Sequence, residues 1–200
     1  MGHLLVAKPA PEETASVTRI GGRPVAPPGT AWPTCKECKG PMQFVAQIRL
    51  SELRDPALAD RLLLIFQCQN KPGMCDDWSA ESGANRALLV APGGTPLAPP
   101  AGKATALSRT DGVGLEPLPA GADYGDVVGG RPEVLGQAGG SPAWIQADET
   151  PTCSCGKPMR FVVQLEDRGG GGINFGDAGC GYGFVCSTCA DQARFLWQCG

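Results

Sequence analysis

Eight of the ten cysteines in this chain fall into two sets of four whose spacing suits a soft metal ion. Cys35 and Cys38 form a close pair, followed by Cys68 and Cys75; Cys153 and Cys155 form another, followed by Cys186 and Cys189. Four thiolates delivered from two loops match the tetrahedral, sulfur-tolerant coordination of Zn2+, with Zn–S of about 2.3 Å. Such a shell has no open coordination position, so the chemistry it implies is structural, and two bound Zn2+ are expected per chain. Neither set is a regular double CxxC: one residue separates Cys153 from Cys155, and six separate Cys68 from Cys75. Free structural thiols are the alternative reading for both sets. Cys180 and Cys199 stand outside them, as buried thiols or, for Cys180, as a substitute ligand in the second set.

No other group of residues competes for a catalytic role, and no enzyme activity is expected. The one histidine, His3, sits in what reads as a frayed start, which removes any internal imidazole base. Asp76-Asp77 and Asp123/Asp126 read as turn and surface carboxylates rather than an acid/base pair. A nucleophile at Cys35 or Cys186 has no neighbouring base. Trp32, Trp78, Trp144 and Trp197 could line a recognition groove, but core packing is the expectation for each. A formal charge of -3 and a pI near 5.2 offer no field for a phosphate backbone, which disfavours nucleic acid. No stretch approaches the roughly 20 apolar residues of a membrane span, and Leu4 to Ala7 is too short for a signal-peptide core. A cytoplasmic, monomeric protein is expected, with thiols kept reduced; in a secreted chain the same ten cysteines would read as five disulfides.

The elements that must position these cysteines are short, because 29 glycines and 19 prolines accompany only 6% aromatic residues. Residues 1–17 read as a disordered arm, 18–90 as a first zinc/β repeat, 91–130 as a Pro/Gly-rich linker with short strands, and 131–200 as a second zinc/β repeat. Both repeats are expected to pack as one globular unit. Met42, Phe44, Ala46, Ile48 and Leu50 alternate with polar or small residues, a half-buried strand; Met159, Phe161, Val163 and Leu165 repeat it in phase. Gln43, Gln47, Arg49, Arg160, Gln164 and Glu166 then form polar faces open to a partner. Further strands are expected at Leu62 to Phe66, Ala87 to Val90, Ala104 to Ser108, Val113 to Leu118, Ile173 to Phe175, Tyr182 to Val185 and Phe195 to Trp197. A short helix is expected after the Asp55-Pro56 cap, a flexible tip at Gly169 to Gly172 and a helical turn at Ala190 to Arg194. Gly21-Gly22 reads as a structural turn, not a phosphate cradle.

Subtraction exposes a duplication. Pro24 and Pro142, Pro33 and Pro151, Cys35 and Cys153, and Cys68 and Cys186 are each 118 residues apart, and Met42 and Met159 are 117 apart. The fold class is therefore mainly β with little helix, an internally duplicated pseudo-two-fold sheet scaffold carrying zinc knuckles.

The run Ile20-Gly21-Gly22-Arg23-Pro24, Trp32-Pro33, Pro41-Met42-Gln43-Phe44-Val45-Ala46-Gln47-Ile48 and Ser51-Glu52-Leu53, with Gly139-Gly140-Ser141-Pro142-Ala143-Trp144-Ile145-Gln146 in the second half, resembles the bacterial YwqG family. Its order of motifs is also similar to the eukaryotic programmed cell death protein 2 relatives. The resemblance implies a mostly β fold with internal pseudo-symmetry and, for the eukaryotic branch, a dedicated chaperone of a small-subunit ribosomal protein. The functional expectation is a zinc-stabilised protein-interaction module, a chaperone or holdase for a specific client. The alternatives are an immunity or antitoxin-like protein that binds a toxin, and a thiol enzyme.

Overall fold

The computed structural model describes residues 2–55, 58–100, 106–167, 172–189 and 191–200. Among these, the chain forms β1 (His3–Lys8), β2 (Arg19–Ile20), β3 (Val25–Ala26), β4 (Gln43–Arg49), β5 (Leu62–Gln67), β6 (Asn85–Val90), β7 (Thr95–Pro96) and β8 (Asp111–Pro117). A five-residue helix, α1 (Tyr124–Val128), follows, then β9 (Val134–Ala138), β10 (Arg160–Glu166), β11 (Cys180–Val185) and β12 (Ala193–Gln198). Ten strands join one sheet in the order β12-β11-β10-β9-β1-β8-β2-β4-β5-β6, and β3 pairs with β7 in a small ribbon. The edge strands β6 and β12 curl round until their Cα atoms come within 8 Å, and the Trp197 N–H donates to the Trp78 carbonyl at 3.1 Å across the seam. The sheet is thus nearly closed. Its interior brings together side chains from both halves, including Leu63, Ile65, Val163, Leu165 and Phe195.

The halves are related as the duplication requires, with one exchange. From the middle outward, one side reads β8-β2-β4-β5-β6 and the other β1-β9-β10-β11-β12. The first strand of each repeat therefore sits in the other repeat's side of the sheet. β1 and β8 pair antiparallel, His3 with Pro117 through Lys8 with Gly112, so the pseudo-two-fold axis passes between them. The expectation of a disordered arm over residues 1–17 is corrected here: β1 is a central strand, with Leu4, Leu5 and Val6 at 1%, 0% and 5% exposure. Leu5 enters the interior, while Leu4 and Val6 pack on the outer face with Tyr124 and Val134. A strand buried on both faces has no polar alternation to announce it.

A bulge organises each knuckle-bearing strand. Pairing of β4 with β5 shifts between Phe44 and Ala46, and pairing of β10 with β11 shifts between Phe161 and Val163. The extra residue reverses which face the following side chains meet. Met42 and Phe44 pack around the first cysteine set, whereas Ala46 and Ile48 enter the interior; Met159 and Phe161 pack with the second set, whereas Val163 and Leu165 enter the interior. The bulge carbonyls are capped alike, Val45 O by the Gly21 N–H at 2.8 Å and Val162 O by the Gly139 N–H at 2.9 Å. Both glycines are left-handed, with φ of 73° and 65°. A Cβ on Gly21 would lie 2.2 Å from the Arg109 carbonyl oxygen. Gly21→Ala should therefore cost about 2–5 kcal/mol, from strained backbone plus overpacking. Gly29→Ala, at φ 85° with nothing within 4 Å, should cost only about 1–2 kcal/mol. Urea unfolding midpoints of the two variants check the contrast.

β4 and β10, whose alternation predicts half-buried strands, are buried on both faces along most of their length, and their polar residues do not form an open binding face. Gln47 and Gln164 are 0% and 1% exposed. Gln47 Oε1 accepts the Val25 N–H and Gln164 Oε1 accepts the Ala143 N–H, each at 2.9 Å. Arg49 is paired with Asp60, Arg160 with Asp55, and Glu166 accepts from the Tyr124 hydroxyl. The two glutamines close hydrogen bonds of the backbone, as buried polar atoms must, and the charged residues are engaged by other side chains.

Other expectations are met in part. β5, β6, β8, β11 and β12 fall where strands were expected, but Ile173 to Phe175 is not a strand. Ala193 and Arg194 belong to β12 rather than to a helical turn. Part of that turn, of the helix after Asp55, of the Ala104 to Ser108 strand and of the glycine tip at Gly169 to Gly172 lies outside the described residues. β7 and β8 lie in the stretch read as a linker, and Asp123 caps α1, its carboxylate accepting the Gly125 N–H at 2.8 Å.

Candidate metal centres

The first knuckle forms because residues 34–41 close on themselves before β4 begins. Thr34 bridges Pro41, the Cys35 N–H donates to Gly40 O at 2.9 Å, and the Lys39 N–H donates to Cys35 O at 3.0 Å with Lys39 at φ 61°. β5 delivers Cys68 to the same end of the sheet, and the loop through Pro72-Gly73 returns Cys75. The sulfurs of Cys35, Cys38, Cys68 and Cys75 all lie within 4.8 Å of one another. The second knuckle repeats the construction: Thr152 bridges Pro158, the Cys153 N–H donates to Lys157 O at 2.8 Å, and Gly156 takes the left-handed turn at φ 82°. β11 delivers Cys186, and the sulfurs of Cys153, Cys155, Cys186 and Cys189 again lie within 4.8 Å of one another. The missing residue between Cys153 and Cys155 is absorbed in the turn without displacing the cluster.

The donor sets fit a tetrahedral ion. Cys38 and Cys68 sulfurs are 3.6 Å apart, and Cys155 and Cys186 sulfurs 3.7 Å. The edge of a tetrahedron with metal–sulfur bonds of about 2.3 Å is about 3.8 Å. All ten cysteines are free of disulfides. Two groups of four thiols are thus arranged to hold metal ions, one at each end of the duplicated scaffold. Each knuckle is seated in aromatic packing. Trp32 lies edge-on to Phe66 in the first half, and Trp144 packs on Tyr182 and Phe184 in the second.

Backbone and side-chain N–H groups aimed at the sulfurs favour thiolate. At Cys186 the N–H groups of Cys189 and Thr188, at 3.3 and 3.4 Å, lower the thiol to about 6. Burial pushes Cys38 up, but the Gly40 N–H and the neighbouring thiols outweigh it and hold the group at about 7. Burial raises Cys68 and Cys75, and the partner thiols Cys155 and Cys153 raise Cys189 to about 12. Each cluster therefore pairs an easily ionised thiol with reluctant ones, the condition a divalent cation reverses.

Asn70 contributes to the first cluster although no cysteine spacing marks it. Asn70 Nδ2 donates to Cys68 Sγ at 3.3 Å, to Cys38 Sγ at 3.5 Å and to Pro41 O at 3.0 Å. Its amide lies where a Cβ on Gly40 would be, 2.7 Å away. The signal for it was positional: Asn70 is two residues after Cys68, as Thr188 is after Cys186. Cys180 begins β11 while Cys186 follows its far end, so Cys180 joins neither cluster; its sulfur is 3.5 Å from Gln164 Nε2. Cys199 is likewise outside both. Asp77, expected at the surface, is 4% exposed: burial raises its carboxyl, and Gln67 Nε2 donates to it at 2.7 Å. Trp78 is not core either, at 50% exposure, and Met74, four residues earlier, is more open still at 75%.

The arrangement defines a class: an almost helix-free, internally duplicated sheet with a four-cysteine cluster at the end of each half. Residues 18–74 match a family model described as a domain of unknown function, DUF1963, which spans β2 to β5 and reaches Cys35, Cys38 and Cys68. The chain is also 36% identical over 68 residues to the uncharacterized protein YpfL of Salmonella typhimurium (strain LT2), a stretch that is 34% of this chain and 16% of that protein. The chain thus spans far less than two thirds of this relative's length. Both similarities lead to uncharacterised proteins. No helix among the described residues is long and apolar enough to cross a membrane.

Proposed function

We propose that this is a YwqG-type, zinc-stabilised protein-interaction module without enzymatic activity. The observation that carries the reading is the pair of four-sulfur clusters at equivalent positions of a duplicated sheet. In each, four cysteines fill the shell of a tetrahedral ion, so Zn2+ would be held by Cys35, Cys38, Cys68 and Cys75 and by Cys153, Cys155, Cys186 and Cys189. The ion supplies cross-linking of distant loops. Met74 and Trp78, exposed on either side of Cys75, supply the apolar anchors for a protein client. A holdase for one specific client accords with a rigid scaffold presenting a small apolar patch.

Metal content per folded chain tests the first part. The wild type should carry two zinc ions, Cys35→Ser one, and Cys153→Ser one; a metal-free wild type would overturn the reading. The second part predicts that a partner retained on the immobilised wild-type chain is lost from the Met74→Ser/Trp78→Ser variant while the zinc content stays at two. Equal retention by both would place the interface elsewhere.

A further inference from the structure

The two cysteine clusters are copies of one construction, yet only the first is covered. There Asn70 Nδ2 donates to Cys38 Sγ at 3.5 Å and to Cys68 Sγ at 3.3 Å, spanning two sulfurs that lie 3.6 Å apart. Their counterparts by register are Cys155 and Cys186, whose sulfurs lie 3.7 Å apart. Among the described residues no side-chain amide spans that second pair. Thr188 stands where Asn70 does, and its hydroxyl accepts from Lys157 Nζ at 3.1 Å instead. We infer that the second cluster is an oxidation site, at which hydrogen peroxide joins Cys155 to Cys186 and so empties the site, while the first cluster is spared. The inference rests on the zinc reading above and extends it to regulation.

Access and cover both single out Cys155. It is exposed, whereas Cys38 at the equivalent place is half-buried. The N–H groups of Thr188 and Cys189 donate to Cys186 Sγ at 3.4 and 3.3 Å, but among the described residues no N–H donates to Cys155 Sγ. Hydrogen bonds withdraw charge from a thiolate, so the bare, accessible sulfur is the better nucleophile. The knuckle turn explains why the second pair has no cover. Asn70 fits because Gly40 lacks a Cβ, which would lie 2.7 Å from the amide. Lys157 takes the place of Gly40 in the second knuckle, the Cys35 N–H donating to Gly40 O as the Cys153 N–H does to Lys157 O. Its Cβ fills the space that a covering amide would need.

The chemistry balances with hydrogen peroxide as the sole oxidant. Cys155 Sγ attacks one peroxide oxygen: an S–O bond forms, the O–O bond breaks and hydroxide leaves. Cys186 Sγ then attacks Cys155 Sγ: the S–S bond forms, the S–O bond breaks and a second hydroxide leaves. Two thiolates lose two electrons, the peroxide gains them, and both hydroxides take protons from water. Cys153 and Cys189 remain, too few to complete a tetrahedral shell.

Peroxide treatment of the full, zinc-loaded chain tests this, with released Zn2+ read by a chromogenic chelator and disulfides mapped by mass spectrometry. Of the two zinc ions, one should leave at least about tenfold faster than the other, in step with a Cys155–Cys186 disulfide. Cys35, Cys38, Cys68 and Cys75 should still be reduced at that point. Asn70→Thr uncovers the first cluster without replacing a ligand, and should speed loss of its ion at least about threefold. Lys157→Gly/Thr188→Asn supplies the missing cover, and should slow loss from the second cluster by as much. Release of both ions at one rate, oxidation of the first cluster ahead of the second, a disulfide that leaves out Cys155, or unchanged rates in both variants would overturn the inference. A chain that holds no zinc before peroxide is added would overturn the zinc reading and this inference together. Two zinc ions that survive peroxide would remove this inference alone.

Discussion

With Zn2+ in the two cysteine clusters as proposed, a strong chelator at neutral pH should unfold this chain, and Cys68→Ser should come close to the same result without chelator. A structural zinc site contributes on the order of 10 kcal/mol, comparable with the whole stability of an ordinary domain of about 5–15 kcal/mol. This chain has little to set against that loss. Aromatics are 6% of its residues, and the clusters that enclose the cysteines are satellites at the ends of the sheet, such as Met42, Phe44, Leu64 and Phe66 around the first set. Cys68 is a sensitive position because it is 1% exposed, lies 3.6 Å from Cys38 and accepts from Asn70. Its replacement should lower the melting temperature by at least about 10 °C, with each kcal/mol worth about 2–4 °C at this chain length. Cys155→Ser, at an exposed position, should cost less. Circular dichroism melts read alongside released zinc check both. Release of two zinc ions with no change in the melt would show that the sheet stands without them.

The cysteine clusters were legible in the sequence because metal ligands come as close pairs, and the duplication doubled the signal. Cys153 and Cys155 were the least regular pair, yet register alone placed them opposite Cys35 and Cys38. The interior was harder to read. Met42, Phe44, Ala46 and Ile48 alternate as if they shared one face, but the bulge at Val45 sends the first two to the knuckle and the last two inside. A bulge leaves no compositional mark when the inserted residue is another valine, as at Val162. Gln47 and Gln164 misled for a related reason: polar residues in a strand were read as solvent-facing, whereas each serves a backbone N–H that the adjoining turn leaves unpaired. Asp77 and Trp78 exchanged their expected places because the segment between Cys75 and the start of β6 is set by hydrogen bonds, from Gln67 to the Asp77 carboxylate and from Asn85 to the Asp77 carbonyl, and not by hydrophobicity.

The central strand gives the other large effect. Residues 3–8 bridge the two sides of the sheet, since β1 lies between β8 and β9, which among the described residues share no ladder of their own. Leu5 is fully buried in the interior and sits where the pairing with β9 shifts register. Leu5→Ala should destabilise by about 2–5 kcal/mol through the cavity it leaves, and Leu5→Asp should prevent folding by burying an unpaired charge. The exchange of first strands makes a sharper prediction. A chain beginning at Pro9 loses the strand that bridges β8 and β9, exposing two edges at the centre of the sheet. It should aggregate or remain expanded, and a synthetic peptide of residues 1–10 should restore a folded one-to-one complex, read by size-exclusion chromatography and by amide exchange in β8 and β9. Leu5→Asp in the peptide should abolish the rescue. A truncated chain that folds alone with protected β8 and β9 amides would mean that those two strands pair directly once β1 is gone, and that the first strand is an accessory to the duplicated sheet.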